Sequence, residues 1–94
     1  MLLVVYDVQE DKLRTKLSKF LTKFGRRVQY SVIEIKNSKR ILDNIKTEIT
    51  TKFEKKFGQG DSVLIYEITD NSKIETFGYP VNEESDLCIF SLQT

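Results

Sequence analysis

The chain contains no histidine. That single absence excludes Ser-His-Asp and Cys-His triads, imidazole general bases and His-ligated zinc. Any catalysis must run on carboxylates, lysine, tyrosine, hydroxyls, water or a hard metal ion. There is one cysteine, Cys88. A lone thiol forms no internal disulfide, and its place in an apolar run reads as a small buried hydrophobe in a reducing compartment. No apolar stretch approaches membrane-spanning length. Residues 2–6 are too short for a signal peptide and run straight into acidic residues. A cytoplasmic protein with no membrane contact is the expectation. A glycine-rich phosphate loop is also missing, because Gly58-Gln59-Gly60 has neither the lysine nor the following helix. The strands lack the Gly-aromatic pattern of an RNA-recognition motif. Internal repeats and low-complexity segments are absent.

What is present is short and unevenly charged. Ninety-four residues make one domain, able to bury one sheet against a pair of helices. The net charge is only +1. Residues 1–60, however, hold 14 Lys and Arg against 7 Asp and Glu, a net +7. Residues 61–94 hold one Lys against 7 acids, a net −6. Such asymmetry fits a basic face for a polyanion and an acidic tail for a protein contact. The plain alternative is an ordinary wet surface.

Residues 2–8 read as a near-continuous apolar strand, hence central in a sheet. Asp11 is the candidate N-cap of a helix in which Leu13, Leu17, Phe20, Leu21 and Phe24 recur with helical spacing. Gly25 follows at the C′ position and opens a short link into residues 28–36. That stretch is rich in β-branched and aromatic residues, and it is one strand or a hairpin turning at Tyr30-Ser31. Asn37 or Ser38 caps a second helix, with Ile41, Leu42, Ile45, Ile49, Phe53 and Phe57 as its buried stripe. Strands are expected at 62–69 and, after the turn signal Asp70-Asn71-Ser72, at 73–79. Pro80 and the acidic 83–86 segment form a linker to a last strand at 87–92.

This order, with two crossovers, gives an α+β split βαβ sandwich of ferredoxin-like type, an antiparallel sheet with two helices on one face. The other face needs a cover. The expectation is a domain at 1–79 and a tail at 80–94 whose strand adds to the partner's sheet in a two-fold homodimer.

Asp7 carries the candidate chemistry. It stands at the end of a buried strand, where a basic helix begins. A carboxylate there holds a divalent cation against a phosphate, or it is merely a cap or turn former. One carboxylate is a sparse site for Mg²⁺. Two copies meeting across a dyad can share the ion, which would then generate hydroxide and neutralise the phosphate. Tyr6 and Tyr30 read as packed strand aromatics, or as hydroxyls bound to phosphate or to Asp7. Arg14 and Arg27 are solvated or grip phosphate with forked donors. Ser31 makes the turn or donates to phosphate. Lys12, Lys16, Lys19 and Lys23 form a stripe along the first helix. With Lys39 and Arg40 they can hold a duplex backbone without reading its bases.

Val4-Val5-Tyr6-Asp7-Val8, the Arg14 helix ending at Phe24-Gly25, and Arg27-Val28-Gln29-Tyr30-Ser31-Val32-Ile33-Glu34 together resemble CRISPR-associated protein 2. Asp61-Ser62-Val63-Leu64-Ile65-Tyr66 resembles the next strand of that family. The resemblance covers most of the chain. It implies a ferredoxin-like homodimer, a tight hairpin at Tyr30-Ser31, and a Mg²⁺-dependent (or Mn²⁺-dependent) nuclease acting on RNA or DNA with Asp7 as metal ligand. It makes Tyr6, Arg14, Arg27 and Ser31 supporting site residues. It also implies a spacer-acquisition role, bridging the CRISPR integrase and holding duplex DNA. Lys16 stands where many members carry arginine, and Ile33 replaces a common aromatic. Rival readings are a stand-alone toxin-type endoribonuclease of the virulence-associated family, a catalytically silent nucleic-acid scaffold, and a small-molecule regulatory domain.

Overall fold

The computed structural model describes residues 1–69 and 74–78. Strand β1 (Leu2–Asp7) leads to helix α1 (Asp11–Thr22) and the hairpin β2 (Gly25–Gln29) and β3 (Val32–Ile35). Helix α2 (Lys39–Glu48) then runs through a π-helical turn (Ile49–Phe53) and a 3₁₀ turn (Glu54–Lys56) before β4 (Ser62–Glu67). The sheet order is β2-β3-β1-β4, and every neighbouring pair is antiparallel. Each β-α-β unit therefore joins parallel strands with one antiparallel strand between them. This is the expected ferredoxin-like sandwich.

The strand period of two sorts β1 by face. Leu2, Val4 and Tyr6 are buried, and with Ile33 and Ile35 of β3 they meet Leu13, Leu17 and Leu21 of α1 and Ile45 and Phe53 below α2. Burying each such Leu or Ile is worth about 1.5–3 kcal/mol relative to exposure. Leu3, Val5 and Asp7 lie on the opposite face, where Val5 pairs with Val32 and Leu64, and Leu3 with Glu34 and Tyr66. Leu64 and Tyr66 are each 51% exposed. No helix covers that face among the described residues.

The second helix holds its apolar stripe by changing gauge. Ile45, Ile49 and Phe53 are spaced by four, which drifts around a helix of 3.6 residues per turn. The wider i→i+5 turn over Ile49–Phe53 takes up the drift. Phe53 is then buried against Phe20, with ring centroids 5.7 Å apart. Ser38 is the cap of α2, its hydroxyl accepting the Ile41 N–H at 3.4 Å.

Four sequence expectations change. Asp11 is not the cap of α1. Glu10 holds that place with no side-chain capping bond, and Asp11 lies in the first turn, paired with Arg14. A carboxylate in a first turn is favoured by the helix dipole without capping anything. Gly25 is not a left-handed C′ residue. It starts β2, and its reason is close approach: a Cβ there would collide with the Glu34 carbonyl and lie 2.9 Å from Ile35 Cγ1. The fourth strand stops at Glu67 rather than residue 69. Residues 74–78 form no strand; Phe77 is 88% exposed and Gly78 has a φ of 89°. Strand-forming composition does not by itself make a strand, and this stretch has no ladder partner among the described residues. The turn at 70–72, the linker, the tail strand, Cys88 and the division at residue 79 lie outside the described residues.

Candidate functional site

Tyr6 and Asp7 illustrate how alternation builds the site. Tyr6 points into the core, and its hydroxyl donates to the Tyr30 carbonyl at 3.3 Å. Its backbone N–H donates to the Ser31 carbonyl at 3.0 Å. The β2–β3 turn, Tyr30-Ser31, is thereby bound to the end of β1. Residues 28–36 are two strands, as the resemblance implied.

Asp7 faces the other way and is exposed. Its Oδ1 accepts the Gln9 side-chain amide at 3.2 Å. The ion pairs Arg14–Asp11 and Lys52–Glu48 do not involve it. Gln9 is itself fixed from outside: its backbone N–H donates to Asp61 Oδ1 at 2.9 Å, and Gly58 N–H donates to Asp61 Oδ2 at 2.8 Å. Those two backbone donors hold the Asp61 carboxyl below the usual aspartate range.

The two arginines differ in employment. Arg14 Nη1 donates to the carbonyls of Val8 at 3.0 Å and Gln9 at 3.3 Å, and Nη2 pairs with Asp11. It straps the β1–α1 loop. Arg27 Nη2 donates to Ser18 Oγ, whereas its buried Nε has no partner. Ser18 is buried on α1, a polar exception on an apolar flank.

An open cleft of about 640 Å³ lies at this end of the sheet. All five predicted site residues, Tyr6, Asp7, Arg14, Arg27 and Ser31, line it, joined by Gln9, Ser18, Lys19 and Tyr30. Lys12, Lys16, Lys23, Lys39 and Arg40 are exposed but do not line it. Ile33 is fully buried on the helix-covered face, so that position offers no ring-stacking surface whichever residue it carries. Gln9, Ser18 and Asp61 are the site residues that the sequence left unmarked as such. Asp61 was marked only as the residue that opens the Asp61–Tyr66 stretch of the family resemblance, with no role at the site.

The donor set suits a hard cation in a limited way. Among the described residues, no group of three Cys, Asp or Glu side chains is gathered to hold a metal. Asp7 offers one exposed carboxylate that neither ion pair among the described residues engages, and it is one of the residues lining a cleft that also carries Arg27 and Lys19. Mg²⁺ is often held by only one or two carboxylates, with water and phosphate completing the shell. The residues present fit that pattern. No helix among the described residues is long and apolar enough to cross a membrane.

A ferredoxin-like sandwich with an exposed aspartate at the end of its first strand, beside a basic cleft, is the class that fold and site define. The chain belongs to the CRISPR associated protein Cas2 family, whose family model matches residues 1–76. It is 32% identical over 75 residues to "CRISPR-associated endonuclease Cas2 2" of Thermus thermophilus, covering 80% of this chain and 78% of that one. It is 27% identical over 79 residues to "CRISPR-associated endoribonuclease Cas2 3" of Synechocystis sp., covering 82% and 83%. The crystal structure of Streptococcus pyogenes Cas2 at pH 6.5 superposes with a TM-score of 0.68 at 30% identity, covering 82% of this chain and 98% of that one.

Proposed function

We propose that this chain is a homodimeric CRISPR adaptation protein of the cytoplasm. In this reading it holds duplex DNA, bridges the CRISPR integrase during spacer acquisition, and hydrolyses phosphodiester bonds in RNA or DNA with Mg²⁺, or Mn²⁺, at Asp7. One observation carries the reading: the five site residues marked in the sequence line one basic cleft at the end of β1. The printed names of the Thermus and Synechocystis relatives, endonuclease and endoribonuclease, agree with it.

Each residue has a task. Asp7 supplies the carboxylate that would hold the ion, and Gln9 fixes the orientation of that carboxylate. When bound, the ion supplies hydroxide at neutral pH and offsets charge on the phosphate. Arg27 and Lys19 draw the phosphate into the cleft. Arg14 keeps the loop after Asp7 in shape, and Tyr6 keeps the hairpin against β1. The exposed lysines Lys12, Lys16 and Lys23, with Lys39 and Arg40, extend the basic surface for a duplex backbone.

The homodimer is supported by the uncovered sheet face. Leu3, Val5, Val32, Leu64 and Tyr66 lie on it, and so does Asp7. A two-fold contact over that face would bring two Asp7 carboxylates toward one ion. The acidic 83–86 segment is the proposed contact for a basic surface of the integrase.

A second reading, a scaffold that holds DNA and protein without cutting, draws on the lack, among the described residues, of three gathered side chains able to hold a metal. Light scattering, integrase co-purification and cleavage assays with Mg²⁺ or EDTA separate the two. Dimer, integrase capture and Mg²⁺-dependent cleavage are expected together. Capture with no cleavage in any metal favours the scaffold, and loss of both capture and cleavage overturns the proposal.

A further inference from the structure

Tyr30 is the residue that the proposed activity leaves unused. It occupies the tip of the β2–β3 turn, is 80% exposed, and lines the cleft beside Arg27 and Lys19. An exposed tyrosine is ordinary on a protein surface, since its hydroxyl reaches water. Three features set this one apart.

The first is rigidity. Its carbonyl accepts the buried Tyr6 hydroxyl, and the next carbonyl, that of Ser31, accepts the Tyr6 N–H. The ring therefore stands on a backbone bound to the central strand. The second is freedom of the ring itself. The aromatic contacts among the described residues involve Phe20, Phe24 and Phe53, and Tyr30 joins neither pair. The third is the company of cations. Arg27 and Lys19 share its cleft, and Arg27 keeps a buried Nε without a partner.

Cations that hold a phosphate backbone, next to an open aromatic face, form the pattern by which proteins bind single-stranded nucleic acid. A ring can stack only on a base that is out of the helical stack, so a paired duplex interior offers it nothing. We propose that Tyr30 is a base-stacking platform at the mouth of the cleft. It takes an unpaired base of a single strand while the adjoining phosphate lies against Arg27 and Lys19. This rests on the nucleic-acid reading of the cleft and adds a preference for unpaired segments, frayed ends included. Every base has a π-face, so the preference is for strandedness rather than sequence.

The test measures binding in metal-free buffer, where no cleavage interferes. The full chain is titrated with short single strands of RNA and of DNA, and with matching strands whose central nucleotides are abasic. The wild type is expected to hold base-bearing strands roughly 5- to 150-fold more tightly than abasic ones. Tyr30→Ala removes that preference and leaves abasic binding unchanged, which also shows that the fold is intact. Tyr30→Phe keeps the preference. Tyr30→Trp gives a chain that has no other tryptophan, and its emission is quenched by base-bearing strands only. RNA and DNA arms that behave alike fit a platform reading the base; a preference seen in one arm alone identifies the strand it serves.

Equal wild-type affinity for base-bearing and abasic strands overturns the stacking platform and leaves the phosphate-binding cleft standing. So does a Tyr30→Ala variant that keeps the wild-type preference. If no strand of any kind is bound, the platform and the nucleic-acid reading fall together.

Discussion

The carboxylate of Asp61 accepts the backbone N–H of Gln9 at 2.9 Å, joining residues 52 apart in the chain. Through the Gln9 side chain the tie reaches Asp7, whose Oδ1 accepts that amide at 3.2 Å. Asp61 is thus a positioning residue for the aspartate of the cleft. Asp61→Asn is expected to lower Mg²⁺-dependent cleavage roughly tenfold, the usual order for groups that orient a metal ligand. Single-turnover rates check it.

The same residue gives a pH signature. Its two backbone donors lower the folded-state pKa below the ordinary value of 3.8. The unfolded chain takes up the proton first, so this contribution is complete above pH about 4 and fades as pH falls through the folded value. Urea melts across pH 2–6 should show a shallower acid loss for Asp61→Asn than for the wild type.

Glu34 titrates in the opposite sense. It sits on the uncovered sheet face, where burial raises its pKa above 4.5, opposed by Arg26 and the N-terminal ammonium. The folded state keeps that proton to higher pH than the unfolded chain does. Folding is therefore relatively favoured at low pH, and the cost of the carboxylate appears as pH rises through the folded value. Glu34→Gln is expected to be slightly more stable than the wild type at pH 7, with solvent screening keeping the gain small, and no more stable at pH 3. Denaturation at the two pH values decides it.

Ser18 and Arg27 form a pair with separable readouts. Ser18→Ala leaves Arg27 Nη2 without its acceptor beside an Nε that already lacks one. The expected cost is about 1–3 kcal/mol of stability, read by urea denaturation. Arg27→Ala removes the proposed phosphate contact. It should reduce the log-log salt slope of oligonucleotide binding by about one unit, whereas Ser18→Thr, which keeps a hydroxyl, should leave the slope unchanged.

Gly25 is required by the approach of β2 to β3. A Cβ would meet the Glu34 carbonyl carbon at 2.8 Å, and that atom is backbone and cannot swing aside. Gly25→Ala is expected to cost about 3 kcal/mol or more, seen as a lowered urea midpoint with an unchanged slope.

The elements that follow a local period were readable in the sequence. Helix α1 and helix α2 each declare an apolar face, and the near-continuous apolar run of β1 marks a central strand; that Tyr6 turns inward and Asp7 outward is seen only in the structure. The choice of two strands at Tyr30-Ser31 was not readable from composition, because strand and turn residues overlap there; the family resemblance supplied it. The Asp61–Gln9 and Ser18–Arg27 contacts leave no local pattern, since each depends on where distant elements land. Gly25 shows the same limit. Its type was noticed, but its cause lies in a neighbouring strand rather than in the helix it follows. Residues 73–79 had strand composition, and the described part, 74–78, has no ladder, which composition cannot foresee.

In the proposed activity, Asp7 holds the ion that drives phosphodiester cleavage. The direct measurement is single-turnover cleavage of RNA and duplex DNA by the wild type and Asp7→Asn in Mg²⁺, with calorimetric titration of the metal. The side chain is exposed, so the variant should fold as the wild type does. Loss of cleavage by roughly 100-fold or more, matching several kcal/mol of charge stabilisation by a metal, together with loss of a site taking one ion per pair of chains, is the expected result. An Asp7→Asn protein that cuts at the wild-type rate, with metal binding intact, contradicts the account.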